Sequence, residues 1–205
     1  MKTSSSKLPR RTAASERLST ALLDVPEFRR RVSPVTVEQY HQFPEFNENG
    51  RRTELIRGIV IEKMSKSPFH RTILRQLSEM LRAALPTNFV LFQQDPLTLA
   101  DSEPEPDITI VRGTVRDFFS HHPTTAALVI EIAVTSPAED RALAALYAEA
   151  GVEEYWIVLP RERQIEVYRQ PGGGTYAERT VIEGDAVLAC ASVPGLRLTL
   201  GELFV

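Results

Sequence analysis

The amino-acid sequence predicts a mixed α/β (α+β) domain, with a central mixed β-sheet flanked by helices and a β-hairpin added towards the C-terminus. Three observations carry that reading. Ile73, Leu74, Leu77, Met80, Leu81 and Leu85 recur at the spacing of an amphipathic helix. Leu128 to Val134 and Tyr155 to Leu159 are short apolar runs suited to strands covered on both faces, and the segment between them is Ala/Leu-rich and helical in pattern. Gln164 to Arg169 and Tyr176 to Ile182 both alternate, and Pro171-Gly172-Gly173-Gly174 turns the chain between them.

The elements follow in order. Thr36 caps a short helix through Tyr40, with Glu38 and Gln39 near its positive end. Phe43 to Gly50 is polar and loop-like. From Thr53 to Ile61 two apolar runs flank Gly58, which predicts two short antiparallel strands and a tight turn. Ser67-Pro68 supplies an N-cap and a first-turn proline for the helix Pro68 to Leu85, and Pro86 ends it. Phe89 to Gln93, Leu97 to Ala100 and Asp107 to Val111 are short strand candidates. A helix from Ala138 to Ala150 is closed by Gly151, so Val129 to Leu159 forms a strand-helix-strand unit, expected to be a right-handed crossover. Val193 to Leu200 adds one more strand.

Length and composition bound the function. A chain of 205 residues with 42% hydrophobic and 25% charged residues suits one globular domain and excludes collagen, coiled coil or extended disorder as a description of the whole. No stretch approaches the ~20 apolar residues of a membrane span. A single cysteine, Cys190, excludes an intrachain disulfide and a Cys-based zinc site, and fits a reducing, cytoplasmic setting.

The charge is split. Residues 1–34 hold eight basic and three acidic side chains, net +5; the remainder hold 16 basic and 24 acidic, net −8. The division is therefore a basic arm, 1–34, expected to be largely disordered, and a single domain, 35–205. The arm has no apolar core like that of a secretory signal. It reads as a solvated leader, with non-specific phosphate contact and an organelle transit peptide as the alternatives.

Three carboxylates interrupt the apolar pattern: Glu54 in Thr-Glu-Leu-Ile, Asp107 after Pro106, and Glu131 inside Leu-Val-Ile-Glu-Ile-Ala-Val. A carboxylate in a buried strand is costly unless paired, neutralised or bound to a metal. If the Asp107 and Glu131 strands are neighbours, the two acids converge and invite a divalent cation with oxygen ligands. Equally, Glu131 could face solvent on an edge strand and Asp107 could cap a turn.

Further segments carry a family likeness. They are Thr53-Glu54-Leu55-Ile56-Arg57-Gly58, Met64-Ser65 with His70, Pro106-Asp107-Ile108, Val129-Ile130-Glu131-Ile132, Tyr147-Ala148, Gly151 to Val158, Pro194-Gly195-Leu196 and Leu203-Phe204. In order and spacing they resemble the restriction-endonuclease family of bacterial proteins, a branch of the PD-(D/E)xK nucleases, from about Val35 to Val205. The resemblance implies a restriction-endonuclease-like core and a DNA endonuclease that hydrolyses phosphodiester bonds with a metal-activated water. It implies Mg²⁺ (or Mn²⁺) on Asp107 and Glu131, with Glu54 assisting and with His70 and Gln93 lining the site. DNA is the implied partner, and a homodimer the expected assembly, since one site per chain cuts one strand.

The superfamily lysine is missing from its usual positions. Two residues after Glu131 stands Ala133, and the alternative family position in the following helix falls on Leu143 or Ala144. The body holds only Lys63 and Lys66, and Lys63 is taken as the candidate, with Lys66 as the other possibility. Arg141, the one cation of that helix, stays protonated and makes a poor base. The competing expectation is a nuclease-fold module that binds nucleic acid or protein without turnover. Tyr147, Tyr155 and Trp156 read as core, and His41, His121 and His122 as surface or loop residues.

Overall fold

The computed structural model describes residues 24–43, 52–135 and 137–204. The chain divides after Pro34 into two units, Met1–Pro34 and Val35–Val205. Most of the basic arm lies outside the described residues. Within the first unit, α1 (Pro26–Arg29) is one exposed turn.

The second unit opens with α2 (Val37–Gln42), where Thr36 and Gln39 cap one another's backbone reciprocally. The strands β1 (Thr53–Ile56) and β2 (Ile59–Glu62) form an antiparallel hairpin. Its two turn residues, Arg57 and Gly58, both have positive φ (52° and 71°), which matches the right-handed twist of the strands they join. Helix α3 (Pro68–Ala84) starts where the Ser67 hydroxyl accepts from the His70 amide, and buries Ile73, Leu74, Leu77 and Leu81. Burying each such leucine contributes about 1.5–3 kcal/mol.

The main sheet has six strands: β3 (Phe89–Phe92), β4 (Ile108–Arg112), β5 (Leu128–Ile132), β6 (Glu154–Leu159), β7 (Gln164–Gly172) and β8 (Thr175–Glu183), adjacent in that order. Only β5 and β6 run parallel; α4 (Pro137–Glu149) connects them. A 3₁₀ turn, Val115–Phe118, follows β4. Strands β9 (Val187–Ala189) and β10 (Arg197–Thr199) pair separately, and α5 (Leu200–Leu203) ends the chain's regular structure. Alternation along β5 sends Leu128, Ile130 and Ile132 to the core shared with α3, and Val129 and Ala133 to the core shared with α4. The C-terminal hairpin β7–β8 extends this sheet, because β7 pairs with β6.

Two strand expectations change. Leu97 to Ala100 is not a strand. The Leu97 amide donates to the Pro104 carbonyl and the Leu99 amide to the Ser102 carbonyl, so the segment folds back on itself while Leu97 and Leu99 stay buried. Its apolar residues reflect burial beneath a loop, not a ladder. Val193 to Leu200 shortens to β10, because Pro194-Gly195 turns the chain, with Gly195 at φ 84°.

Candidate active site

Antiparallel pairing of β4 with β5 sets Ile108 opposite Ile130. The next pair in that register is Asp107 and Glu131. The Asp107 amide donates to Glu131 Oε2 at 3.3 Å, and the Ile132 amide donates to Asp107 Oδ2 at 2.9 Å. Both side chains are buried, so Glu131 does not face solvent. The acids that break two apolar runs thus meet at one end of adjacent strands.

Asp107 is held from three further directions. His70, in the first turn of α3, brings Nε2 to 2.9 Å from Oδ2. Since a carboxylate only accepts, Nε2 carries the proton, which leaves the buried Nδ1 without a partner. Gln94 Nε2 donates to Oδ1 at 3.3 Å. Lys66 Nζ stands 3.5 Å from the same oxygen. Burial pushes the Asp107 carboxyl up, but the His70 hydrogen bond, the Lys66 charge and the Ile132 amide outweigh it and hold it below the ordinary range.

Glu131 behaves oppositely. Burial, then the neighbouring charge of Asp107, pushes it well above the ordinary carboxylate range. Tyr147, on α4, donates its hydroxyl to Glu131 Oε1 at 2.9 Å. Asp140, one helical turn inside α4, is raised to about 6, first by burial, with the charge of Lys66 opposing and that of Asp107 adding. Burial first, and the charge of Asp107 with it, thus disfavours ionisation at both Glu131 and Asp140.

The lysines divide the work. Lys63 Nζ lies 3.1 Å from Glu54 Oε2 and donates to the Glu105 carbonyl at 2.9 Å. Glu54 Oε2 also accepts from the Glu105 amide at 3.2 Å. Glu54 and Lys63 thus brace the loop that delivers Asp107, while Lys66 is the lysine that reaches Asp107 itself. Although burial opposes its charge, Asp107, Glu131 and Asp140 together raise the Lys66 pKa, so this ammonium stays protonated. Arg141 points elsewhere, to Glu166. Gln93 is exposed. The strand ends at Phe92, and the positive φ of Gln94 (57°) turns that residue, not Gln93, onto Asp107.

Sequence reasoning missed Asp140, Gln94 and the tip of Tyr147. Asp140 carried a signal, an acid in the first turn of a helix beside the candidate strand, but one that also reads as ordinary helix capping. Among the described residues no set of three or more His, Cys, Asp or Glu side chains is arranged to hold a metal. Two carboxylates with waters retained are nevertheless a sufficient protein contribution for Mg²⁺, a hard cation that dehydrates reluctantly. No described helix is long and apolar enough to cross a membrane.

Among solved structures, the chain is similar to one described as a putative nuclease belonging to DUF820, from Anabaena variabilis ATCC 29413. The TM-score is 0.70 at 21% identity, over 83% of this chain and 98% of that one. At that identity the likeness carries the fold alone, an α+β core around a central mixed sheet. No curated protein matches. A family model, Uma2, matches residues 37–201. That span contains the whole six-stranded sheet, both flanking helices and every side chain of the site, and the chain belongs to the Uma2 family, described as “Putative restriction endonuclease”.

Proposed function

We propose that the protein is a Mg²⁺-dependent DNA endonuclease whose ion is held by Asp107 and Glu131 and whose lysine is Lys66. The observation that carries this reading is the convergence of Asp107 and Glu131 across β4 and β5, with Glu131 pushed up by burial and then by the charge of Asp107. A bound divalent ion supplies charge for the phosphate and lowers the pKa of a water. The chain's own groups do the rest. The Asp107 and Glu131 oxygens fix the reacting centre against the sheet. His70 and the Ile132 amide hold Asp107 Oδ2, which leaves Oδ1 facing Lys66. As a protonated donor, Lys66 orients the attacking water and offsets charge on the phosphoryl oxygens. Hydrolysis then forms a bond from the water oxygen to phosphorus as the ester P–O bond breaks; the attacking water gives a proton to solvent, and the departing sugar oxygen takes one from solvent to leave as the alcohol. Cutting both strands calls for two copies, so we propose a homodimer on the substrate.

A second reading has one observation in its favour. Both oxygens of Asp107 already have protein partners, so an ion must displace Lys66 or Gln94 from Oδ1. A nuclease-fold module that binds without turnover would keep those contacts. Supercoiled plasmid incubated with Mg²⁺ or Mn²⁺ separates the two: nicking by the wild type, absent in Asp107→Asn and with chelator, supports the enzyme. Intact plasmid under every condition supports the module.

A further inference from the structure

Helix α3 begins at the site and runs away from it. Lys66 and His70, on either side of its N-cap Ser67, both contact Asp107, and Arg71 is the next residue. Arg71, Arg75 and Arg82 are exposed and fall within about 40° of one another around the helix at 100° per residue, so they form one stripe along its edge. The charge of α3 is +2, with Glu79 its single acid, in a body of net charge −8.

The pairing of the other arginines sets this stripe apart. Arg52, Arg57, Arg112, Arg141, Arg169 and Arg179 each hold a carboxylate. Among the described residues Arg71, Arg75 and Arg82 form no ion pair. In the same unit Arg116, Arg161, Arg163 and Arg197 also form no ion pair, but they are scattered: Arg116 in the 3₁₀ turn, Arg161 (on the Val134 carbonyl) and Arg163 in the turn between β6 and β7, and Arg197 on β10. In an acidic body most guanidinium groups find an internal partner, and three left free in line are available to an external anion.

We infer that this stripe holds the phosphate backbone of duplex DNA and feeds one strand to Asp107 and Glu131, an inference that rests on the nuclease reading above. From Arg71 to Arg82 the helix rises about 16 Å, the rise of about five nucleotides of one strand. Arginine suits this task, because its planar fork grips a phosphate bidentately. Contacts of this kind set register and carry no sequence information.

The test is fluorescence anisotropy of a labelled DNA duplex in Ca²⁺, with the full chain, across a salt series. The triple variant Arg71→Ala, Arg75→Ala, Arg82→Ala should bind at least tenfold more weakly at low salt. Its log–log salt slope should flatten by up to about 2.7, because each arginine that neutralises a phosphate adds about 0.9 to the slope. The triple Arg→Lys variant should keep most of the affinity, and Arg116→Ala, beyond the far end of β4, all of it. Melting temperature and its Mg²⁺-induced rise should match the wild type in every variant, since none touches the carboxylates. Wild-type affinity and slope in the triple alanine variant would overturn the inference while leaving the nuclease reading intact. No DNA binding by the wild type, or tighter binding to an RNA duplex, would also overturn it. Loss of the Mg²⁺ response in the wild type would instead count against the metal site.

Discussion

Lys66 Nζ lies 3.5 Å from Asp107 Oδ1, on a side chain that enters from the loop between β2 and α3. No lysine stands at Ala133, Leu143 or Ala144, and the lysine that reaches Asp107 comes from a different element. Two lysines three residues apart thus have separate contacts, Lys66 with Asp107 and Lys63 with Glu54 and Glu105.

Lys66→Ala should lower plasmid cleavage by about 10²–10⁴-fold with little change in melting temperature, because the side chain is partly exposed and its removal opens no cavity. Lys63→Ala should do the reverse. It leaves Glu54 and Glu105 without their ammonium, so the melting temperature falls while cleavage at a temperature where the fold persists drops less. Paired cleavage and melting assays on both variants check this. Equal loss of cleavage in both would show that the lysines share one task.

The pH dependence of stability has a definite sign. Asp140 is raised to about 6 and Glu131 is raised well above the ordinary range, so the folded chain keeps protons that the unfolded chain has lost. Their contribution is fully present below about pH 4 and is lost as pH rises through about 6 and beyond. Asp107, held low, contributes the other way: its stabilisation is present above about pH 4 and is lost on further acidification. Metal-free protein should therefore melt lower at pH 8 than at pH 5.5, and Asp140→Asn should flatten that decline. A calorimetric pH series reads both.

His70→Ala should destabilise the fold by about 2 kcal/mol, since it removes a hydrogen bond to a charged carboxylate and opens a cavity at a buried position. It should also let the Asp107 carboxyl rise, so that acid unfolding begins at higher pH. Urea unfolding at pH 7 and pH 4 measures the two effects separately.

Tyr147→Phe isolates the group that fixes Glu131. The ring packs fully buried and the change removes only the hydroxyl at 2.9 Å from Oε1, so the expected cost is about 0.5–1.5 kcal/mol without loss of fold. The Mg²⁺ affinity should fall as Glu131 loses its orientation, which titration calorimetry detects.

What the sequence made legible was local. The periodicity of α3, its Ser67 cap and the Gly58 turn follow from neighbours a few residues apart, and the structure has each of them. Asp107 and Glu131 could be singled out because a carboxylate inside an apolar strand is itself a signal; that the two meet depends on the β4–β5 register, which pattern alone left open. Lys66 and Asp107 are 41 positions apart, and nothing local separates Lys66 from Lys63. Gln94 owes its place to a positive φ that no residue type near it demanded. Leu97 to Ala100 misled because burial beneath a loop selects the same residues as burial in a sheet.

The measurement that bears most directly on the metal site is a Mg²⁺ titration at pH 8 followed by melting temperature, on the wild type, Asp107→Asn and Glu131→Gln. An ion bound only by the folded state raises the melting temperature with concentration. If Asp107 and Glu131 hold the ion, the wild type shows that rise and both variants lack it. A rise of equal size in all three proteins, or none in the wild type, would contradict a metal site at these two carboxylates.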